Sequence, residues 1–158
     1  MSFSHFDEKG RAKMVDVTSK AVTERTAIVE GYIEMKPETL KMILNKEIAK
    51  GDVFQVARLA GIMAAKMTPH LIPLCHPLPL TNVEIEIEPE QTGTTVKITT
   101  KVKTSAQTGV EMEAMVATSL TALTIYDMCK AVDKEMTIKE IKLIYKSGGK
   151  SGEFKRRA

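Results

Sequence analysis

The segment from residue 66 to residue 80 constrains the fold most strongly, because it holds four of the six prolines in the chain. Proline fixes its own φ and pushes the preceding residue toward extended backbone, so the run KMTPHLIPLCHPLPL is typical of neither a long helix nor a central strand. We predict a stiff connector that packs through its apolar residues. Within it, Cys75 and His76 are rigidly held polar groups in an apolar wall, which suits a small-molecule site. The alternative is a buried linker whose imidazole is merely hydrogen-bonded.

Length and composition indicate one domain. The chain has 158 residues, of which 43% are hydrophobic, which is enough for a substantial core. It has no apolar run of about 18 residues and no signal-peptide pattern, so no membrane association is expected. Its two cysteines do not form a disulfide framework, which favours a reducing cytoplasm. We therefore expect a single domain over residues 1–158, with flexible ends at residues 1–13 and 147–158.

The positive charge is concentrated at the C-terminal end. The net charge is +3, and residues 147–158 carry four basic residues and one acidic residue, so the rest of the chain is neutral. This distribution favours a local anion over long nucleic acid as the partner, with a solvated tail as the alternative. Tryptophan is absent and only four phenylalanines and three tyrosines are present, so platforms for base stacking are scarce.

Hydrophobic periodicity predicts elements in the order β, α, α, β, β, α, β. The strands are predicted at residues 21–35, 83–88, 96–103 and 137–146, and the last helix at residues 109–131. Without one helix the order is β-α-β-β-α-β, so the predicted fold is α+β and ferredoxin-like, with one extra helix. The helices would cover one face of an antiparallel sheet, and the other face would need an oligomeric partner.

Local signals define the two longer helices. Asp52 with Gln55, and Thr108 with Glu111, each resemble a capping box at a helix start. Apolar residues at helical spacing predict that the helix after Asp52 buries one stripe. This stripe comprises Val53, Val56, Ala57, Ala60, Met63, Ala64 and Met67.

The last helix carries the strongest candidates for proton transfer. Asp127 and Lys130 are three residues apart and therefore neighbours on the helix surface, where an ordinary ion pair is the alternative. If that end is buried, the pKa of each group depends on the other, and the pair could exchange protons near neutrality. Glu113 precedes Asp127 by 14 residues, which is roughly 21 Å along the helix axis. Either one of the two carboxylates is functional, or a site between subunits takes Glu113 from one chain and Asp127 from another.

Cations at three other positions are candidates for binding an anion. Lys50 directly precedes a helix N-terminus, where it opposes the helix dipole, so an anionic partner is favoured. Lys66 lies near the end of the same helix, where dipole capping explains it. Arg25 lies on the same face of the first strand as the apolar residues Ala27 and Val29. We therefore expect it either to pair with a carboxylate or to contact a ligand.

A zinc site is a weaker alternative. Its ligands would be His70, Cys75, His76 and Cys129, whose spacing matches no common tetrahedral pattern. The sequence therefore predicts no metal ligands, and it contains no P-loop, GxGxxG or GxSxG motif.

Seven motifs in order along the chain are long and unusual. They are MVDV at 14–17, KGDV at 50–53, AGI at 60–62 followed by Lys66, LIPLCHPL at 71–78, TGVEMEA at 108–114, LTIYDMCK at 123–130 and KSGGKSG at 146–152. Together they resemble the cyclic pyranopterin monophosphate synthase family, which is the molybdenum cofactor biosynthesis protein C family. The resemblance extends from about Phe6 to Gly152. It departs at Val29, Met115 and Val116, which concern packing rather than chemistry.

The resemblance implies a single catalytic domain with lyase activity. The enzyme would convert 3′,8-cyclo-7,8-dihydroguanosine 5′-triphosphate to cyclic pyranopterin monophosphate and diphosphate, which is a phosphorus–oxygen lyase reaction in molybdenum cofactor biosynthesis. The resemblance also implies ferredoxin-like subunits that form a homohexamer. The homohexamer would be a trimer of dimers, with the site at a subunit interface. The resemblance implies no cofactor, although Mg²⁺ on the substrate phosphates is compatible with it.

The resemblance also implies roles for individual residues. The residues implied in catalysis are Asp127 as acid/base with Lys130 as its partner, together with His76 and Lys50. The residues implied in binding the substrate body are Leu74, Cys75, His76, Met112 and Glu113. The cations that would neutralise the triphosphate are Arg25, Lys66, Lys146 and Lys150. Two rival hypotheses are a nucleic-acid-binding ferredoxin-like module, which needs exposed aromatic residues on the sheet, and a purely structural assembly subunit.

Overall fold

The computed structural model describes residues 4–158, which contain five strands and three helices. In chain order they are β1 (Thr23–Glu34), α1 (Pro37–Leu44), α2 (Val53–Leu71), β2 (Leu80–Pro89), β3 (Thr95–Ala106), α3 (Glu111–Cys129), β4 (Thr137–Ser147) and β5 (Phe154–Lys155). Part of the N-terminal segment predicted to be flexible, residues 1–3, lies outside the described residues.

The strands form one antiparallel sheet in the order β2-β3-β1-β4-β5. The order of the first four is that of the ferredoxin-like plan, and α1 is the extra helix, so the predicted fold class is confirmed. Helices α2 and α3 pack against each other and cover one face of the sheet. In β1, Ala27, Val29 and Ile33 are fully buried beneath the helices, while Ile28 and Tyr32 lie half-buried on the opposite parity.

Small residues bring α3 close to its neighbours. A Cβ on Gly31 of β1 would lie 2.7 Å from the Thr118 methyl group of α3, and one on Gly61 of α2 would lie 3.1 Å from the Ala117 carbonyl oxygen. The hydroxyl groups of Thr118 and Thr100 of β3 also share a buried hydrogen bond of 2.9 Å. These contacts hold α3, which carries the candidate residues at both ends, firmly between β1 and α2.

The buried face of α2 differs from the predicted stripe. The helix buries its small residues Ala57, Gly61, Ala64 and Ala65 against α3, because only small side chains fit where the two helices approach closely. The prediction is therefore wrong for Val56, Met63 and Met67, which face outward. We call the exposed apolar row on α2 the α2 stripe. It comprises Val56, Leu59, Met63, Met67 and Leu71, with 42–60% of each residue exposed.

One of the two predicted helix caps forms. The Asp52 carboxylate accepts a hydrogen bond of 3.3 Å from the Gln55 amide, which begins α2 as expected. The cap predicted at Thr108 is wrong, because α3 has Val110 at its N-cap position and no side-chain cap. The Glu111 carboxylate instead pairs with Lys146 of β4 at 3.0 Å, so a tertiary ion pair replaces the local cap.

The connector is shorter than predicted. Helix α2 continues through Pro69 to Leu71, so residues 66–71 are helical and the connector comprises residues 72–79. Proline lacks an N–H, but in the last turn this removes only one intrahelical bond while the helix is about to end. The Ile72 amide still donates to Thr68, 2.9 Å away.

After β4 the chain reverses direction and adds a strand that the sequence did not predict. Gly148, Gly149 and Gly152 have φ values of 94°, 77° and 71°, which favour glycine. Phe154 then pairs with Lys146 in the register of β5 and β4. A strand of two residues has no periodicity by which the sequence could reveal it.

Candidate active site

A cavity of about 340 Å³ opens where the connector meets the start of α3 and the N-terminal segment. The residues on its wall include Leu74, Cys75 and His76 of the connector, Met112 and Glu113 of α3, and Ser4, His5, Val15, Val17 and Lys20 of the N-terminal segment. All five residues implied in binding the substrate body therefore line one cavity. We call it the α3 cavity.

Glu113 is the buried acid of the α3 cavity. Its residue is 3% exposed, and one carboxylate oxygen is buried without a hydrogen-bond partner among residues 4–158. Burial raises the pKa of Glu113 to about 7, and the nearby Glu111 charge adds to the rise. Glu113 can therefore gain and lose a proton near neutral pH.

His76 and Cys75 form the connector side of the cavity. The His76 Nε2 lies 2.7 Å from the Val15 carbonyl oxygen, which can only accept, so Nε2 carries the hydrogen and Nδ1 remains available. The same bond joins the N-terminal segment to the connector. Burial and the neighbouring Glu113 raise the pKa of the Cys75 thiol, so Cys75 serves better as apolar wall than as nucleophile.

The other end of α3 carries a separate group of charges, which we call the Asp127 cluster. The Lys130 ammonium lies 2.8 Å from one carboxylate oxygen of Asp127, and Lys50 lies 3.4 Å from the other. Lys50 also donates to the Asp127 carbonyl oxygen, 2.9 Å away. Lys50 thus has an anionic partner, as its position before α2 suggested, and the partner is Asp127.

The Asp127 cluster is open in the single chain. The Asp127 side chain is 57% exposed and that of Lys130 is 53% exposed. The hydrogen bond from Lys130 and the charge of Lys50 hold the pKa of Asp127 below its ordinary value, while Asp127 raises the pKa of Lys130. Both groups are therefore charged at neutral pH, and the burial on which proton exchange depended is not provided by one chain.

Three of the predicted cations lie close to the α3 cavity. Arg25 donates to the carbonyl oxygens of Ala106 and Gln107, each 3.1 Å away, rather than pairing with a carboxylate. It lines a wide groove of about 810 Å³ together with Lys150. Lys146 joins this groove to the cavity, because its ammonium lies 3.0 Å from both Glu111 and Ser151.

The sequence of residues 14–149 matches the MoaC family. The chain belongs to the MoaC family. A protein from Pelotomaculum thermopropionicum is 54% identical over 154 residues, which cover 98% of this chain and 91% of that protein. One from Magnetococcus marinus is 56% identical over 157 residues, which cover 99% of this chain and 96% of that protein. Both relatives are named cyclic pyranopterin monophosphate synthase, and the family resemblance is confirmed.

In this MoaC-family chain the predicted site residues divide into groups that do not meet. The residues expected to bind the substrate body line the α3 cavity, whereas Asp127, Lys130 and Lys50 lie at the opposite end of α3. His76, which was grouped with Asp127 as catalytic, lies in the cavity. Lys66 is exposed on α2 and lies in neither group within residues 4–158.

Sequence reasoning missed several residues of the cavity. His5 and Lys20 belong to an N-terminal segment that shows no periodicity and was predicted, over residues 1–13, to be flexible. Glu111 was interpreted only as the partner of Thr108 in a capping box at a helix start. The signal that could have identified it is the pair of glutamates at 111 and 113, because one carboxylate near another raises the pKa of its neighbour.

The structure bears on the zinc alternative and on the expectation about membranes. Among residues 4–158, no three His, Cys, Asp or Glu side chains are grouped as they would be around a metal ion. Of the candidate zinc ligands, Cys129 is buried in the main core, while Cys75 and His76 line the cavity. Within the same described residues, no helix has the length and apolar character that crossing a membrane requires.

Proposed function

We propose that this protein is a cyclic pyranopterin monophosphate synthase in molybdenum cofactor biosynthesis. It converts 3′,8-cyclo-7,8-dihydroguanosine 5′-triphosphate to cyclic pyranopterin monophosphate and diphosphate. One observation carries the proposal: residues expected to bind the substrate body share one cavity, in a chain 54% and 56% identical to relatives of that name. Those residues are Leu74, Cys75, His76, Met112 and Glu113.

The reaction class is that of a phosphorus–oxygen lyase. A substrate alcohol attacks the α-phosphorus, a new P–O bond closes the cyclic phosphate, and the bond to the leaving diphosphate breaks. The alcohol proton must be accepted, and the charge developing on the leaving diphosphate must be stabilised. Rearrangement of the purine-derived ring and closure of the pyran ring require further proton transfers.

Glu113 and Asp127 are suited to different steps. A Glu113 with a pKa of about 7 can donate a proton to the substrate body and take one back at neutral pH. Asp127 is charged and held by Lys130 and Lys50, so it is suited to accepting a proton once the site has closed around it. His76 would assist through Nδ1, because Nε2 is occupied by Val15.

The groove beside the cavity suits the triphosphate. Arg25 uses two of its five N–H donors on backbone carbonyls, so others remain for phosphate oxygens. Lys146 and Lys150 add two cations on the same side. Lys66 is not among the described residues that line this groove or the α3 cavity, so its proposed role on the phosphates requires a neighbouring subunit. Mg²⁺, where used, would bind on the substrate phosphates.

The complete site would lie between subunits of a homohexamer arranged as a trimer of dimers. Glu113 and Asp127 stand roughly 21 Å apart along α3, too far for one substrate centre. The α2 stripe is an exposed apolar row of the kind that a partner subunit covers. A second chain placed over the Asp127 cluster would also supply the burial that proton exchange requires. Both cysteines are free thiols, which suits the cytoplasmic location we propose.

Direct assay tests the proposed function. The purified oligomer is incubated with the cyclic dihydroguanosine triphosphate, and released diphosphate is measured together with fluorescence of the oxidised pterin. Stoichiometric appearance of both products is the expected result. A folded oligomer that releases neither product would overturn the proposal, and release of diphosphate without pterin would indicate a different phosphate-cleaving activity.

A further inference from the structure

The turn after α3 contains a buried carboxylate, Asp133, which is 2% exposed. One oxygen accepts the Lys36 amide at 2.9 Å and the Thr39 hydroxyl at 3.0 Å, and the other accepts the Glu135 amide at 3.1 Å. Burial opposes the charge, but these hydrogen bonds hold the pKa of Asp133 below its ordinary value. Asp133 is thus a fully hydrogen-bonded anion in the interior.

The partners of Asp133 belong to two different parts of the chain. Lys36 and Thr39 belong to the beginning of α1, which leads directly into the loop at residues 45–52 that carries Lys50. The Asp133 amide donates to the Cys129 carbonyl oxygen at the end of α3, 3.0 Å away. Asp133 therefore ties the segment that supplies Lys50 to the helix end that supplies Asp127, because its carboxylate bonds to the start of α1 and its amide bonds to the end of α3.

Cys129 marks the interior between these segments. It is fully buried, and burial raises the pKa of its thiol to about 11, while Asp133 adds to the rise and Lys50 opposes it. Both charges are therefore close to the same side chain. Ile48 of the loop is buried in the same main core as Cys129, and Lys50 donates to the Asp127 carbonyl oxygen, so the loop contacts the end of α3.

We infer that Asp133 is a positioning residue that holds Lys50 against Asp127 by fastening α1 to the end of α3. An exposed ion pair such as Lys50–Asp127 contributes little to its own alignment, because solvent competes for both charges. The alignment must come from the two segments that carry Lys50 and Asp127. Asp133 joins these segments through buried hydrogen bonds. This inference rests on the proposed function, because alignment at the Asp127 cluster matters for the rate only if Asp127 does chemistry.

A matched pair of variants tests the hydrogen bond from the Thr39 hydroxyl to the Asp133 carboxylate. Thr39→Val keeps the side-chain shape and removes the hydroxyl donor, while Thr39→Ser keeps the donor. In Thr39→Val we expect kcat to fall roughly tenfold, because small misplacements near a reacting group are costly, and KM to change little. Thr39→Ser should retain the wild-type kcat, and Asp133→Asn should reduce kcat further.

A second measurement does not depend on activity. Asp127 faces Lys50 and Lys130, so titration of its carboxyl group by NMR in the intact oligomer reports whether Lys50 stays in place. We expect Asp127 to titrate at higher pH in Thr39→Val than in wild type, and unchanged in Thr39→Ser. Unchanged titration in Thr39→Val, or a rise in KM at constant kcat, would overturn the inference. If the wild type were inactive, the proposed function would fail, while the titration would still test the positioning by Asp133.

Discussion

Glu113 and Asp127 are carboxylates on the same helix, and their surroundings shift their pKa values in opposite directions. At the start of α3, burial raises the pKa of Glu113 to about 7. At the end of α3, Lys130 and Lys50 lower the pKa of Asp127, which remains exposed. The cavity end is thus assembled within one chain, whereas the Asp127 end is an exposed charged surface that, in the function we propose, a second subunit covers.

This difference indicates where assembly matters. The firm packing of α3 between β1 and α2 fixes the separation of the two carboxylates, so no motion within one chain brings them together. A symmetric dimer can bring the start of one helix to the end of the other, and it does so twice. The catalytic arrangement we propose therefore depends on the oligomer.

The largest effect is expected from Asp127→Asn, which removes the negative charge and the proposed proton acceptor of the Asp127 cluster. We expect kcat to fall by roughly two to four orders of magnitude, the usual contribution of a general acid or base. The assay is diphosphate release, with circular dichroism to verify the fold. Glu86→Gln, an exposed change on β2, serves as control. Full activity of Asp127→Asn would remove Asp127 from the mechanism.

Mixing two inactive chains tests whether the two ends meet across an interface. A Glu113→Ala chain and an Asp127→Asn chain are unfolded, refolded together and assayed. If the two chains mix at random in a two-fold dimer, about a quarter of the sites should contain both an intact Glu113 and an intact Asp127. Recovery of activity to that level is expected, measured against each variant refolded alone. If mixed oligomers form and stay inactive, the shared site is wrong.

The α2 stripe offers a way to separate the two ends physically. Met63→Glu places a charge in the exposed apolar row, and we expect subunit association to weaken by roughly tenfold or more, since a buried unpaired charge is costly. Sedimentation at several protein concentrations measures the change. Leu44→Glu is the matched control, because Leu44 is similarly exposed but lies on α1. Equal effects of both substitutions would indicate a general loss of solubility rather than an interface at the α2 stripe.

The raised pKa of Glu113 predicts a pH-dependent stability. The folded chain keeps the proton up to about pH 7, whereas the unfolded chain releases it near the ordinary value of 4.5. The contribution of Glu113 to the free energy of unfolding is therefore fully present below pH 4.5. It is lost as the pH rises to 7, which lowers the free energy of unfolding by up to about 3 kcal/mol.

Glu113→Gln should remove this dependence, because glutamine stays neutral at every pH. Urea unfolding of both proteins at pH 5 and pH 7.5, at one fixed protein concentration, measures the difference. Glu86→Gln controls for the loss of an exposed charge. Parallel pH profiles for wild type and Glu113→Gln would contradict the raised pKa.

Much of this fold follows from the sequence because its strands and helices have strong periodicity. Ala27, Val29 and Ile33 alternate as a covered strand should, and Asp52 caps α2 as its spacing predicts. The errors occur where tertiary packing overrides local signals. The closeness of α2 and α3 buries small residues rather than Met63, and the ion pair of Glu111 with Lys146 replaces a cap from Thr108.

The candidate site was predictable mainly through motifs. Periodicity and helix geometry separate Glu113 from Asp127, but they do not indicate that Leu74 and Met112 face one cavity. Resemblance to the family supplied that grouping. The N-terminal wall with Lys20 has no local signal, because its structure is fixed by single long-range bonds such as that from His76 to Val15. Asp133 likewise becomes notable only when its partners Lys36 and Thr39 are seen around it.

The smallest effect is expected at the groove beside the α3 cavity, where we propose that the phosphates bind. Lys146→Gln removes one cation from the edge of the cavity, and we expect KM to rise roughly tenfold at low ionic strength, because one charge-assisted hydrogen bond to phosphate is lost. The increase should shrink in high salt, since partly exposed charges are screened. Lys142→Gln on the same strand is the matched control, because Lys142 pairs with Glu140 instead. A lower kcat at unchanged KM would assign Lys146 to the chemistry rather than to binding the substrate, and the division between the two ends of α3 would then need to be redrawn.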